Sequence, residues 1–420
     1  MTMFGDLLST VFDRRVIFMG PSGEDARSTE ELADALVSAA DEVSGQALAG
    51  RILDRFDAMD DAAKLTFFQH LAEAMDIQPA AVRQWLEAYE ADPSKKTYRA
   101  FMAVAEPRRQ ELIRRLNGVP GATGRLVQMR ADLLRLTRKD PRLEALDLDF
   151  RHLFASWFNR GFLVLRPISW ESPAHILEKI IAYEAVHAID SWDDLRRRLE
   201  PTDRRCFAFF HPAMPDEPLI FVEVALTIGG AGSVQALLLE SRETLQAHDA
   251  DTAVFYSISN CQAGLAGISF GNSLIKQVAA DLSAELPDLK TFITLSPLPG
   301  FAAWLKTQAP AGLVENDTAY RALAAHYLTE AKRADGMPLD PVARFHLGNG
   351  AQVHDVHENA DTSAKGQAQS LGVMVNYHYD LAKVSENHER FSNTRSVAMS
   401  STIRTLSNNA AKLLSEEVER

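Results

Sequence analysis

Cysteine, positive charge and long apolar runs are scarce in this sequence. Only Cys206 and Cys261 occur in 420 residues, which is too few for a disulfide-stabilised scaffold or for the common thiolate metal sites. No uninterrupted run of about eighteen apolar residues occurs, so no transmembrane helix is predicted. The formal net charge is −13, whereas proteins that bind nucleic acid or acidic membranes need a basic surface. We therefore expect neither nucleic acid nor a membrane as a partner.

The two ends of the sequence carry no recognised targeting signal. Residues Met1–Arg15 contain Asp6 and Asp13 and lack a long apolar segment, so a signal peptide is not predicted. The last residues, Glu416–Arg420, match no known C-terminal targeting motif. We expect a reducing compartment and place the chain in the cytoplasm.

The distribution of apolar residues predicts two domains. A chain of 420 residues exceeds the size at which a single core usually stops growing. Its 46% hydrophobic and 24% charged residues are an ordinary globular composition. Helical periodicity runs from Ser28 to about Asp149, and strand-like runs follow Phe158. We predict an α+β multidomain protein, with an all-α helical bundle over residues 1–157 and a mixed α/β domain over residues 158–420.

The helical part carries capping signals but no obvious catalytic constellation. Ser28 and Glu31 have the spacing of a capping box, and Asp60 or Asp61 is a candidate cap for a later helix. Arg108–Arg109 is interpreted as part of a solvated helix face. Because broad apolar faces of bundles often form interfaces, we expect a homo-oligomer, a dimer or a tetramer, through this domain.

The second domain is organised around Ala253–Trp304. That stretch predicts, in order, a strand, a glycine-bearing loop, a helix and a second strand that ends before a proline-framed turn. A unit of this kind brings its loop and the end of its second strand to one edge of a sheet. Further strands are predicted at Cys206–Phe210, Leu219–Leu226 and Val234–Leu239.

Three features of this domain are candidates for chemistry. The loop Asn260–Gly267, with Gly271 before the helix, offers backbone N–H groups to a pyrophosphate, although such a loop is also an ordinary turn. Ser296 directly precedes Pro297. Either its hydroxyl contacts a substrate, or the residue is simply a serine that terminates the strand. His346 lies between apolar neighbours and is either a tunable imidazole or a core histidine.

A fourth feature, the pair His354 and His357, has a spacing that some metal ligands share. Asp355 lies between the two histidines. The segment reads as a strand or as irregular, and such a backbone does not bring an i, i+3 pair to one ion. No metal site is predicted.

Five short motifs stand out in the second domain. They are Phe255–Ser259, Ser296–Phe301, Pro341–His346, Asn349–Ala351 and Asn376–Tyr379. In this order they closely resemble the malonyl-CoA decarboxylase family, and the resemblance extends over the region from about residue 158 to residue 379. It implies an N-terminal helical oligomerisation domain and a catalytic domain similar to the GNAT acetyltransferase superfamily.

The resemblance also implies roles for individual residues. Ser296, His346 and Tyr379 match the catalytic serine, histidine and tyrosine of the family. The spacing of Gln262 and Gly267 departs from the usual GNAT pattern for the pyrophosphate loop. The residues expected at the substrate are Ser257, Ser259, Gln262, Gly264, Gly267, Ile268, Ser269, Gly271 and Asn376.

The implied reaction converts malonyl-CoA to acetyl-CoA and carbon dioxide. The thioester oxygen accepts the charge of the enolate that forms, so no cofactor or metal is needed, and CoA is part of the substrate and the product. The protein has to supply donors for the enolate oxygen and a proton for the new methyl carbon. In our hypothesis Ser296 polarises the malonyl group and His346 donates the proton. Tyr379 and Asn376 orient the substrate, and the opposite division between Ser296 and His346 is open.

Two other functions are compatible with these residues. One is a GNAT-type CoA-dependent acyltransferase, which an acylated amine formed without carbon dioxide would identify. The other is a non-catalytic acyl-CoA sensor, which ligand-dependent stabilisation without turnover would identify.

Overall fold

The structure is a computed structural model that describes residues 25–137, 140–268, 274–308 and 319–416. The chain divides into two compact units. Unit 1 contains the described residues up to Asn159 together with Pro212–Met214 and Gln262–Ile268, and unit 2 contains the others. An N-terminal helical region is followed by a domain with a mixed sheet, which confirms the predicted fold class.

Unit 1 is built from helices, two of which begin at the predicted caps. The Ser28 hydroxyl accepts the Glu31 N–H, and the Glu31 carboxylate accepts the Ser28 N–H, so the capping box is confirmed. Asp60 caps a later helix by accepting the Ala63 N–H. The helices are α1 Thr29–Ser38, α2 Glu42–Ala58, α3 Asp61–Glu73, α4 Pro79–Ala91, α5 Lys95–Ala105, α6 Arg108–Leu116, α7 Ala122–Thr137 and α8 Glu144–Trp157.

Apolar side chains fill the interior of unit 1. Phe56 of α2 packs against Phe67 and Phe68 of α3, with ring centroids 5.8 and 5.4 Å away. Arg109 is also inside, because only 3% of it is exposed and its guanidinium pairs with Asp149. The expected solvated face is therefore wrong for Arg109. A charge can be buried where a carboxylate satisfies it.

The glycine loop Gln262–Ile268 packs within unit 1. Arg130 of α7 donates from Nη1 to the Gly264 carbonyl at 2.6 Å. A Cβ at Gly264 would overlap the carbonyl group of Val127, and Gly267 has a φ of +73°. Close packing and a left-handed backbone therefore account for these two glycines.

Unit 2 contains one mixed sheet. Its strands are β1 Val164–Ile168, β2 Arg204–His211, β3 Met214–Thr227, β4 Thr252–Asn260, β5 Thr291–Thr294, β6 Ser296–Pro297, β7 Gln352–His357 and β8 Met374–His378. The strand order is β1-β2-β3-β4-β5-β8-β6, and β7 also pairs with β8. Only β4 and β5 among the described strand pairs are parallel. This parallel pair is the predicted central unit.

Helices complete unit 2. They are α9 Ala174–Tyr183, α10 Trp192–Leu199, α11 Val234–Leu238, α12 Leu274–Glu285, α13 Phe301–Gln308, α14 Tyr320–Glu330, α15 Pro341–Gly348, α16 Ala364–Ser370, α17 Val384–Thr394 and α18 Ser401–Glu416. The strand predicted at Val234–Leu239 is wrong, because α11 lies there. Ser233 caps α11 by accepting the Ala236 N–H, and a short apolar run has no period that separates a strand from a helix.

Helices cover both faces of the sheet. On one face, Phe255 of β4 shares a core with Val278 of α12. On the other, Phe210 of β2 packs with Ile180 of α9 and Leu195 of α10. Every helix in the described ranges is too short or too polar to cross a membrane.

Replacing Gly264 with alanine should destabilise the protein. The added Cβ overlaps the Val127 carbonyl, so the loop has to move away from α7, and we expect a loss of about 1–3 kcal/mol of unfolding free energy. Gly50→Ala within α2 is the control, since nothing lies within 4 Å of its Cβ. Helix propensity predicts a gain of about 0.5–1 kcal/mol there. Urea unfolding followed by circular dichroism measures both, and equal midpoints for the two variants would contradict this packing.

Candidate active site

A cavity opens in unit 2 where β4 and β5 stop pairing. The last residues paired in parallel are Phe255 of β4 and Thr294 of β5. Next to them, the register of β4 against β3 shifts at a bulge, and Tyr256 is the additional residue. Because a bulge bends its strand and increases its twist, the end of β4 separates from β5. The cavity lies between the two diverging ends.

The cavity has a volume of about 250 Å³ and a mostly apolar lining. Its walls include Val186, Ile258 and Phe345, and its polar groups include Ser296 and His346. None of the described residues that line it is a lysine, an arginine, an aspartate or a glutamate. A charged group bound there loses water without gaining an opposite charge from these walls.

A line of hydrogen bonds joins the three residues expected to be catalytic. Ser296 Oγ lies 3.1 Å from Nε2 of His346, and Nδ1 of His346 lies 2.8 Å from the Tyr379 hydroxyl. Ser296, His346 and Tyr379 are 5%, 2% and 1% exposed. The structure thus brings together three residues that are far apart in sequence.

Three separate elements position these side chains. Ser296 pairs through β6 with Val375 of β8. Tyr379 follows β8, and its N–H donates to the Phe292 carbonyl of β5. His346 lies on α15. Sheet pairing therefore fixes two members of the line, and a helix fixes the third.

Asp340 fixes the start of the helix that carries His346. It is fully buried, and its Oδ1 accepts the Ala343 N–H at 2.8 Å. Burial raises the pKa of Asp340, and backbone donors that include the Gly300 N–H oppose this rise. Because Gly300 lies in the turn after Ser296, one carboxylate contacts the segments that carry both Ser296 and His346.

Burial keeps His346 neutral. It lowers the pKa of this imidazole to about 3, and it raises the pKa of Tyr379 well above its ordinary value. The ring of Tyr377 stacks on the imidazole with centroids 4.4 Å apart. A neutral imidazole has one N–H donor and one acceptor nitrogen. The line therefore consists of hydrogen bonds between groups whose neutral forms burial favours.

Asn376, expected at the substrate, is bonded to the protein. Its Nδ2 donates to the carbonyls of Thr294 and Ala231 at 2.7 and 3.2 Å. Its Oδ1 lies 2.6 Å from Nε2 of His357. Asn376 therefore braces the end of β5. Its contact with the substrate stays a prediction.

Ser257 and Ser259, also expected at the substrate, bind a carboxylate. Their hydroxyls donate to Glu184 at 2.8 and 3.2 Å. The same carboxylate accepts the Val186 N–H at 2.8 Å. Since Val186 lines the cavity, the two serines help to fix the cavity wall through Glu184. Their direct contact with the substrate stays a prediction.

The remaining residues expected at CoA belong to the glycine loop. Four of them lie in unit 1: Gln262, Gly264, Gly267 and Ile268. Ser269 and Gly271 lie outside the described residues. A role for these six residues at the CoA pyrophosphate stays a prediction.

His354 and His357, considered above as metal ligands, have protein neighbours. His357 bonds to Asn376, and the His354 ring lies 5.3 Å from that of His378. In the part of the chain that the structure describes, no group of three or more histidine, cysteine, aspartate or glutamate residues is arranged to hold a metal ion.

Sequence reasoning missed Thr294 and Tyr377. Thr294 is fully buried, and its hydroxyl accepts a hydrogen bond from Ser296 Oγ at 2.8 Å. A signal for Thr294 was present, because residues two positions apart on a strand point to the same face. Glu184 and Asp340 were missed as well, since their partners are distant in sequence.

Two family models match the chain. The malonyl-CoA decarboxylase C-terminal domain matches residues 161–321 and 307–417, and the malonyl-CoA decarboxylase N-terminal domain matches residues 76–158. The chain belongs to the malonyl-CoA decarboxylase family. The expected resemblance is thereby confirmed, and the family assigns the chain the carboxy-lyase class.

Individual malonyl-CoA decarboxylases are similar over most of the chain. The mitochondrial malonyl-CoA decarboxylase of Anser anser anser is 35% identical over 345 residues, which are 70% of this chain and 68% of that protein. The crystal structure of the enzyme from Rhodopseudomonas palustris is 48% identical with a TM-score of 0.84, and the match covers 90% of this chain and 100% of that one. For Agrobacterium vitis the identity is 46%, the TM-score 0.85 and the coverage 90% and 99%.

The buried imidazole should make the protein less stable in acid. An unfolded histidine has a pKa near 6.5, whereas the pKa of folded His346 is about 3. Between these values only the unfolded state binds the proton, so this contribution is complete above pH 6.5 and decreases as the pH falls towards 3. We expect a loss of about 2 kcal/mol between pH 7 and pH 5.

His346→Gln is the comparison, because it removes the titrating group. Urea unfolding of both proteins at pH 7 and pH 5 gives the difference. The variant should lose less unfolding free energy on acidification than the wild type. An identical pH dependence in the two proteins would contradict a depressed pKa for His346.

Proposed function

We propose that this chain converts malonyl-CoA to acetyl-CoA and carbon dioxide in the cavity between the ends of β4 and β5. The observation that carries the proposal is the buried line of Ser296, His346 and Tyr379, which reaches a cavity whose described lining is uncharged. Membership of the malonyl-CoA decarboxylase family supports the substrate.

The apolar walls favour loss of the carboxylate. A malonyl carboxylate among Val186, Ile258 and Phe345 gives up solvation without meeting a cation in the described lining. When the carbon–carbon bond breaks, its electron pair moves into the thioester enolate and carbon dioxide leaves uncharged. The Ser296 hydroxyl is the donor to this developing charge, and it then transfers its proton to the methylene carbon.

His346 returns the proton that Ser296 gives up. The serine oxygen takes the Nε2 proton across 3.1 Å, and Nδ1 takes the Tyr379 proton across 2.8 Å. These transfers leave the imidazole proton on Nδ1 and a negative charge on Tyr379. One proton from solvent per turnover neutralises Tyr379 and balances the hydrogen gained by the product, and return of the imidazole proton from Nδ1 to Nε2 by exchange restores the starting tautomer. The 2% exposure of His346 and the partners at both of its nitrogens favour Ser296 as the direct donor. This is the division of labour opposite to our first hypothesis.

Ser296→Ala should lower kcat by about 100-fold or more, since it removes the proton donor, and KM should change less. Ser370→Ala is the control. Ser370 is 1% exposed and donates to the Gly366 carbonyl in its own helix, so the same change is made at similar burial. Release of acetyl-CoA and carbon dioxide from malonyl-CoA is measured. A folded Ser296→Ala protein with near wild-type turnover would remove Ser296 from the mechanism.

We also infer that the chain forms a homo-oligomer, a dimer or a tetramer, through the hairpin of α4 and α5. Neither helix contains a buried residue. Leu86, Tyr98 and Met102 on this hairpin are 39%, 51% and 47% exposed. Neighbouring exposed apolar side chains mark interaction surfaces.

The charges of the hairpin favour a second copy as the occupant. On α4, Glu87 and Glu90 outnumber the single basic residue Arg83, whereas the charged residues of α5 are all basic: Lys95, Lys96 and Arg99. A second copy packed antiparallel brings the acidic helix of one chain beside the basic helix of the other. The surface is therefore complementary to itself.

The double variant Tyr98→Glu, Met102→Glu should dissociate the oligomer, because both substitutions place a charge in the apolar part of the surface. Val43→Glu is the control, since Val43 is 67% exposed on α2 outside the hairpin. Sedimentation velocity at micromolar concentration compares the three proteins. A monomeric wild type, or a double variant that sediments as the wild type does, would contradict this interface.

We place the chain in the cytoplasm. The bacterial enzymes of known structure are 48% and 46% identical to it, whereas the goose enzyme, whose name includes "mitochondrial", is 35% identical. Fractionation of the source cells tests this placement.

A further inference from the structure

We propose that Thr294 is a positioning residue that sets the direction of the hydrogen bonds from Tyr379 through His346 to Ser296. It keeps the imidazole proton on Nε2, where it points at Ser296. The inference rests on the proposed function, in which this line supplies the proton for the enolate.

The contacts of Thr294 hold its side chain in one place. The residue is 0% exposed. Its Oγ1 accepts from Ser296 Oγ at 2.8 Å and from the Tyr377 N–H at 3.2 Å. Its carbonyl accepts from Asn376 Nδ2 at 2.7 Å. A hydroxyl oxygen has two acceptor positions, and both of those of Thr294 are occupied.

The direction of the line follows from this occupancy. Because the Ser296 proton is donated to Thr294, Ser296 can only accept a hydrogen bond from His346. Nε2 therefore carries the imidazole proton. Nδ1 of a neutral imidazole is then an acceptor, and it takes the hydroxyl proton of Tyr379 across 2.8 Å.

Tyr379, at the other end, does not impose a direction by itself. A phenolic hydroxyl donates or accepts equally well, so Tyr379 suits either tautomer of His346. The Thr294 hydroxyl differs, because the bond between the two hydroxyls runs from Ser296 Oγ to Thr294 Oγ1, and the second acceptor position of Oγ1 takes the Tyr377 N–H. The asymmetry therefore enters the line at Thr294.

The tautomer decides what the pair can do. With a proton on Nε2, His346 is not a base for Ser296, so the serine is not activated as a nucleophile. The pair instead has a proton ready for release. When the substrate binds, the Ser296 hydrogen turns from Thr294 to the substrate while the bond between Ser296 and His346 stays in place.

Nitrogen-15 NMR of His346 in the free enzyme tests the assignment, because protonated and unprotonated ring nitrogens have distinct shifts. The wild type should show the proton on Nε2. Thr294→Val has nearly the same volume but no acceptor, so the Ser296 proton turns to Nε2 and the imidazole proton moves to Nδ1. Thr294→Ser keeps the hydroxyl and should restore the wild-type tautomer.

Activity supplies the second readout. Thr294→Val should lower kcat by roughly 10- to 100-fold with KM within about twofold, and Thr294→Ser should restore the greater part of kcat. An unchanged tautomer or unchanged kcat in folded Thr294→Val overturns the proposal. If that variant does not fold, Tyr379→Phe is measured instead. If Thr294 sets the direction, His346 of this variant keeps its proton on Nε2. If Tyr379 sets the direction, the proton no longer stays on Nε2, and the proposal is overturned.

The two proposals fail in different ways. A wild-type enzyme that releases no carbon dioxide from malonyl-CoA contradicts the proposed function, whatever its tautomer. An active wild type whose free form carries the proton on Nδ1 contradicts only the role of Thr294.

Discussion

The separation of β4 from β5 after Phe255 and Thr294 is the constraint on which the site depends. A bulge at Tyr256 bends one strand away and leaves a cavity in the middle of a sheet that is otherwise paired. The same feature leaves Thr294 as the last residue of β5 that pairs with β4. Ser296 follows two positions later, so its hydroxyl points to the same side as the residue that orients it. One change in strand pairing thus makes the space for a substrate and also fixes Thr294, which orients the hydrogen bonds of Ser296, His346 and Tyr379.

Charge is distributed unequally within unit 2. On the side of the sheet covered by α9 and α10, Glu223 and Arg198 are buried 3.3 Å apart. Burial raises the pKa of Glu223 to about 8, and the charge of Glu184 adds to the rise while that of Arg198 opposes it. The cavity has no such group in its described lining. The buried charge of Arg198 is tolerated because the Asp194 carboxylate and the carbonyls of His187 and Ala188 accept its hydrogen bonds. The reacting line is neutral because burial and hydrogen bonding favour neutral forms.

Local patterns predicted the parts of this structure that depend on neighbours in sequence. The capping box at Ser28 and the order of the central unit were read correctly, and the motif order indicated the family. What the sequence did not reveal are pairings between distant segments, because a residue type does not name its partner. Ser257 reads as a substrate contact until Glu184, 73 positions away, is found on its hydroxyl. Gly264 reads as part of a phosphate loop until α7 is found against it.

The direction of the proton line also bears on the choice between decarboxylation and acyl transfer to an amine. An amine that attacks a thioester has to lose a proton, so its enzyme needs a base at the site. In the tautomer that we propose, Nε2 of His346 carries a proton, and Nδ1 lies 2.8 Å from the Tyr379 hydroxyl. Within the described lining the site therefore has a proton to give and no free base to take one. An enolate left by carbon dioxide requires a proton donor, and the orientation that Thr294 imposes on Ser296 and His346 supplies one.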